Sequence, residues 1–225
     1  MSYRLLIPIL ALSISPTWAS ITISDVDPTR GLYVDYQEFG ARFNSFAGVV
    51  LGFIDITQPI DLFSANLYLT APRGFYNENQ VAPLTEGGQQ RISWLYAFQL
   101  AGANTPTLGA ALQLAIWDIM ADGGDGPGHG ILQAGTATPQ AVIDAWQSYL
   151  NVSSGQASTA ASYYIVRSRI DGSILGTYVG AATGSGPDIN PPPPGGGDVT
   201  GVPEPSSLTT LLVLMTIGLG IKLRK

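Results

Sequence analysis

The chain of 225 residues has no cysteine at all, a single histidine, and few charges, 12% of its residues. Without cysteine there are no disulfides, no thiolate metal ligands and no cysteine nucleophile. With one histidine, His129, most base-assisted nucleophilic machinery is out of reach. It lies in the glycine-rich run Asp122-Gly-Gly-Asp-Gly-Pro-Gly-His-Gly130, without a nucleophile motif beside it, and reads as a solvated loop side chain. Basic residues are few: 10 Lys and Arg stand against 16 Asp and Glu, for a net charge of −6. No basic stripe is available to neutralise phosphates, which argues against a nucleic-acid partner.

Hydrophobic residues make up 45%, with 27 glycines and 16 prolines, a composition rich in turns. Both ends of the chain read as targeting segments. Residues 1–19 have the form of a secretory signal peptide: Arg4, an apolar centre from Leu5 to Ile14, and small residues at Thr17 and Ala19, with cleavage expected after Ala19. At the other end an apolar run from Leu208 to Ile221 contains no charge and is followed by Lys222, Arg224 and Lys225. It is shorter than the ~20 residues that cross a bilayer comfortably, but its basic flank suits a cytoplasmic tail. Ahead of it stands Val202-Pro203-Glu204-Pro205.

Pro-Glu-Pro, a short apolar helix and a basic tail, in that order over residues 202–225, resemble the PEP-CTERM sorting signal of bacterial surface proteins. The resemblance implies export by signal peptidase, a transient inner-membrane anchor, and cleavage near Val202, Pro203, Glu204 and Pro205 by an exosortase-like transpeptidase. The product would reside on the cell surface or in an exopolysaccharide matrix. An exported chain without cysteine must hold its fold by packing alone.

Between the two ends lie an ectodomain, residues 20–183, and a linker, residues 184–201. The linker carries Asn190-Pro-Pro-Pro-Pro194-Gly-Gly-Gly197, a stiff rod followed by a swivel. In the ectodomain, Ile21–Ile23 and Leu32–Tyr36 read as strands, the second with Leu32, Val34 and Tyr36 on one face. Phe46 to Ile56 suits a strand pair or a bent strand, and Asn66–Thr70 alternates like a further strand. Three helices are expected next. The first covers Gln89 to Ala101. The second starts at Thr105-Pro106, ends at Asp122-Gly123 and has an apolar face of Leu108, Leu112, Ala115, Ile116 and Ile119. The third opens at Thr138-Pro139 and carries Val142, Ile143, Trp146, Tyr149 and Leu150. Tyr163–Ser168 and Ser173–Val179 flank Asp171-Gly172, a two-residue hairpin signal. The expected class is α+β: antiparallel, barrel-like strands at both ends of the domain with a three-helix insertion, then the stalk and a C-terminal transmembrane helix.

The second helix contains Ala110-Ala-Leu-Gln-Leu-Ala-Ile-Trp-Asp-Ile119, similar to the Gln-x-Ala-Ile-Trp motif of bacterial surface thioester domains. Ser93-Trp-Leu-Tyr96 resembles the helix before that motif, and Gly31-Leu-Tyr-Val-Asp-Tyr36 resembles the family's Tyr/Phe-Cys-Val-Asp strand. The resemblance implies that Gln113 occupies the position of the thioester glutamine. Tyr33 stands where the cysteine would be, so the implied fold comes without the thioester, and Asp35 and Trp117 take packing or hydrogen-bonding positions.

Two binding readings remain beside these. Asp118, Asp122 and Asp125 are carboxylates near glycine-rich backbone, a donor set suited to Ca²⁺, although their spacing is not that of an EF-hand. No other cofactor is expected. Tyr33, Tyr36, Tyr68, Tyr76, Trp94 and Trp117 are aromatic candidates for a carbohydrate face, with core packing as the competing role. The chain therefore reads as a non-enzymatic exported protein, structural or adhesive, with a carbohydrate- or calcium-binding module as the alternative. A secreted hydrolase, which would have to work through His129, is the weakest reading.

Overall fold

The computed structural model describes residues 17–67, 73–168 and 170–182. The stalk, the sorting motif Val202–Pro205, the apolar C-terminal run and Tyr68 lie outside the described residues, as do residues 1–16.

The domain is α+β. Its strands are β1 (Thr17–Glu38), β2 (Ala41–Ile54), β3 (Gln58–Ser64), β4 (Gly74–Pro83), β5 (Leu132–Ala134), β6 (Ala161–Arg167) and β7 (Ile174–Ala181). Its helices are α1 (Gly87–Gln99), α2 (Pro106–Asp122) and α3 (Gln140–Ser153), with a 3-10 turn over Leu100–Gly102. All strand pairings are antiparallel. The order β2-β3-β7-β6-β4-β1 closes on itself because β1 also pairs with β2. β1 serves two structures. Its first part, Thr17 to Val26, sits between β4 and β2 in this closed ring. Beyond an irregularity between Val26 and Gly31, its second part continues with β2 as a ribbon, joined by β5 at Tyr36–Glu38.

Two hydrophobic cores follow from that division. Ile21, Ile23, Val50, Ile54, Ile60, Leu62, Val81, Tyr164, Val166 and Tyr178 fill the ring, and each of its six strands contributes. The other core lies between the ribbon and the helices and includes Val34, Tyr36, Phe63, Leu95, Leu112, Trp117 and Trp146. α2 is its axis: every residue from Gly109 to Ile119 is buried. The one-sided apolar stripe expected for this helix is thus too narrow. Strands lie on one side and α1 and α3 on the other, so a helix apolar all round is the stable solution. A Cβ at Gly109 would overlap the Arg30 carbonyl oxygen, so glycine there lets α2 seat on the irregular stretch of β1.

Local signals held where they were self-contained. The Thr105 hydroxyl accepts from the Leu108 amide at 3.2 Å, Pro106 opens α2, and Gly123 closes it in the left-handed region at φ 88°. Other expectations need correction. Thr138 does not cap α3; Pro139 holds that position and the Thr138 hydroxyl donates to the Asp35 carbonyl, docking the helix start onto β1. Of the two alternatives for Phe46 to Ile56, a single strand is formed rather than a pair: Phe46 to Ile54 is the later part of β2, and the chain then turns through Asp55 and Ile56, both at positive φ. Asn66 and Leu67 follow the end of β3 in irregular backbone, so the strand expected from Asn66 does not begin there. The Asp171-Gly172 turn is wider than two residues: the Ser168 amide donates to the Ser173 carbonyl at 2.7 Å across it. β1 begins at Thr17, and Thr17, Trp18 and Ala19 pair with β4.

Candidate functional site

Two clusters of buried polar groups lie along α2. The first is built on Gln113, 1% exposed. Its side-chain oxygen accepts from the Ser64 amide at 3.0 Å, and its side-chain nitrogen donates to the Ser64 carbonyl at 2.7 Å. The Trp117 indole N–H donates to the same carbonyl at 2.9 Å. Ser64 ends β3, and Gln113 and Trp117 sit one turn apart on α2, so helix and strand end are tied together through main-chain atoms. Tyr33 is not part of this arrangement. Its side chain is 69% exposed and packs edge-on against Phe46, ring centroids 5.8 Å apart, while its neighbour Val34 points into the core. The two positions that the thioester resemblance would join are therefore not brought together. Asp35 accepts from Arg42 at 3.2 Å and from the Ala137 amide at 3.2 Å, on the edge of an open cleft of about 400 Å³ lined also by Phe43 and Asn44.

The second cluster is at the C-terminal end of α2. Asp118 and Asp122 are one turn apart on the helix, and Asp125 follows in the loop. Each of the three can offer an oxygen within 4.8 Å of the others. Asp118 is fully buried and accepts from the Trp146 indole N–H of α3 at 2.9 Å through Oδ2. Asp122 Oδ2 accepts from the Ile131 amide, and from the Leu132 amide at 3.4 Å, and so closes the loop back onto the helix end. The other oxygens, Asp118 Oδ1 and Asp122 Oδ1, are buried without a hydrogen-bond partner. Gly130 is at φ +70°, and a Cβ there would overlap carboxylate oxygens of Asp122 and Asp125. Burial, then the neighbouring carboxyl of Asp122, pushes the Asp118 carboxyl up to about 8. Burial and Asp122 also raise Asp125.

Arg91 of α1 approaches this cluster, yet it spends its donors elsewhere: on Ser153 Oγ at 3.0 Å, the Gly123 carbonyl at 2.7 Å and the Leu150 carbonyl at 2.8 Å. Among the described residues, no ion pair neutralises Asp118, Asp122 or Asp125. His129 is exposed, and its backbone amide donates to the Gly126 carbonyl at 3.0 Å.

No family model matches this chain, and neither does any curated protein or any solved structure. The functional reading therefore rests on the residues themselves.

The aromatic candidates divide. Tyr36 and Trp117 are buried and pack on each other at 5.7 Å, and Trp94 packs on Phe98 at 5.4 Å. Tyr33 remains at the surface. Sequence reasoning found the three aspartates but missed their neighbours Trp146 and Gly130, and it missed Ser64 as the partner of Gln113. The Trp146 and Ser64 contacts join different elements, at sequence separations of 28 and 49, and no local pattern encodes them.

Proposed function

We propose that this chain is an exported, non-enzymatic protein of the cell surface or extracellular matrix, with a structural or adhesive role. Its ectodomain, with no cysteine to form a thioester, would be held from the membrane by the stalk at residues 184–201 until an exosortase-like enzyme cleaves near Val202-Pro203-Glu204-Pro205. The observation that carries the reading is the C-terminal order of Val202-Pro203-Glu204-Pro205, an uncharged apolar run and a basic tail. Within the domain, both amide atoms of Gln113 are bonded to Ser64 as a tie between α2 and β3, and there is no cysteine for acyl chemistry. Adhesion by such a domain would be non-covalent.

Two measurements test it. Intact-mass analysis after exposure to a primary amine should show no adduct; an amine adduct at Gln113 would overturn the loss of acyl chemistry. In a bacterium that carries an exosortase, fractionation should find a processed form at the surface or in the medium. Glu204→Ala should leave the unprocessed form in the membrane fraction. Retention of the full-length chain in the cytoplasm defeats the sorting reading.

A second reading, a carbohydrate-binding module, draws on the open cleft where Phe43 lies beside Asp35, Arg42 and Asn44, a ring with polar neighbours. Retention on an immobilised exopolysaccharide that is lost in Arg42→Ala would favour it.

A further inference from the structure

We propose that Asp118, Asp122 and Asp125 form a calcium site that pins the loop of residues 123–131 to the end of α2. This goes beyond the surface role proposed above and does not depend on it.

Three carboxylates gathered on one loop are common without an ion, so the cluster alone carries nothing. The second observation is the state of Asp118. It is 0% exposed, its Oδ2 is held by the Trp146 indole, and its Oδ1 is buried with no hydrogen-bond partner, in a carboxylate that offers an oxygen within 4.8 Å of those of Asp122 and Asp125. A buried carboxylate oxygen left unmade costs about as much as a lost charged hydrogen bond, so folds rarely retain one without a ligand for it. Asp122 repeats the pattern: Oδ2 is used by the loop amides, and Oδ1 is buried and unpartnered. Each aspartate thus uses one oxygen for the fold and leaves the other for a ligand.

The geometry suits calcium. Its oxygen ligands stand at about 2.3–2.6 Å, so opposed ligands lie at most about 5 Å apart, in keeping with offered oxygens within 4.8 Å of one another. Magnesium needs shorter distances and a stricter octahedron, which a glycine-rich loop does not impose. The site grades from buried Asp118 through half-buried Asp122 to exposed Asp125, which gives the ion a path from solvent. Gly130 lets the backbone close against the carboxylates where a side chain would collide. Bound calcium would supply the missing partner for both orphan oxygens and join α2, the loop and, through Trp146, α3.

The test uses the full chain, stripped with chelator and titrated with CaCl₂ or MgCl₂. At a hundredfold excess over Kd, calcium should raise the unfolding midpoint by about 5–10 °C. Trp146 donates to a ligand carboxylate, so excitation of tryptophan should sensitise emission from bound terbium, and calcium should quench it by displacement. Asp118→Asn keeps an acceptor for the Trp146 indole but loses a charge; it and Asp122→Asn should weaken calcium binding by at least about tenfold. Asp125→Asn, at an exposed position, should do the same without a risk to folding, and Asp144→Asn on the exposed side of α3 should change nothing. No calcium-dependent shift and no terbium emission in the native chain overturn the site, and so does a shift that survives Asp118→Asn or Asp125→Asn. An equal shift with magnesium overturns the assignment to calcium.

Discussion

The ring of strands and the helical layer share β1, β2, β3, β6 and β7 but are stabilised differently. The ring interior holds ten buried side chains whose only polar atoms are the hydroxyls of Tyr164 and Tyr178, and Tyr164 donates to the Ala181 carbonyl. The helical layer buries Gln113, Asp118, Ser93 and the indole N–H groups of Trp94, Trp117 and Trp146 among its apolar residues. Most of these tie one element to another: Gln113 and Trp117 to Ser64, and Ser93 to the Ala161 amide at 2.9 Å. The first core is stabilised mainly by buried apolar area. The second adds orientation, because a hydrogen bond has direction and apolar contact does not. Among the described residues, the unpartnered oxygens of Asp118 and Asp122 lie in this second core, and there the calcium site is proposed.

Substitutions can break this contrast in graded steps. Leu62→Ala in the ring should cost about 2–5 kcal/mol by transfer and cavity terms, with no change in any ligand titration, as read by denaturant unfolding. In the helical layer, Gln113→Leu should cost about 1–3 kcal/mol. It orphans the Ser64 amide, while the Ser64 carbonyl keeps the Trp117 indole. If it costs nothing, the polar tie is not structural.

Asp118→Asn should act in the opposite direction, stabilising the metal-free chain at neutral pH by about 1–3 kcal/mol, because the amide is neutral without the proton that Asp118 must take up on folding. The pH dependence has the same origin. A carboxyl at about 8 in the fold against 3.8 when exposed binds a proton that the unfolded chain has lost. Its stability is therefore full below about 3.8 and declines as pH rises to about 8. Thermal unfolding across that window should show the decline in the native chain and a flatter profile in Asp118→Asn.

Gly109→Ala should lose a net amount of about 1–2 kcal/mol. The collision with the Arg30 carbonyl outweighs the ~1 kcal/mol of added helix propensity, and a rise in melting temperature would refute the close approach. The smallest effect belongs to Arg73→Ala. Its guanidinium meets Asp25 with side chains 70% and 44% exposed, so about 0.2–1 kcal/mol is expected, reduced further by salt.

How much of this was legible depended on distance along the chain. Both ends of α2 were readable because a Thr-Pro start and an Asp-Gly stop act within one turn. The second part of β1 was readable because Leu32, Val34 and Tyr36 alternate. β3 and β4 were not: Gln58–Ser64 carries Pro59 and Asp61, and Gly74–Pro83 contains the polar run Asn77 to Gln80. Their strand state comes from neighbours that pair with them, β7 and β2 for one, β1 and β6 for the other. Thr138-Pro139 misled as a cap because the Thr138 hydroxyl was claimed by Asp35, 103 residues away.

The sequence by itself determined what depends on composition and on neighbours in the chain: the exclusion of thiol chemistry, the α+β order of elements, the caps of α2, and the three aspartates within one helix turn and a loop. Tertiary structure alone decided that β1 closes a ring, that α2 is buried on every side, that Gln113 is tied to Ser64 while Tyr33 faces solvent, and that Asp118 keeps one oxygen unpartnered beside Trp146. Those outcomes follow from contacts between residues far apart in sequence, where packing and the satisfaction of buried polar groups, rather than local propensity, set the lowest free energy.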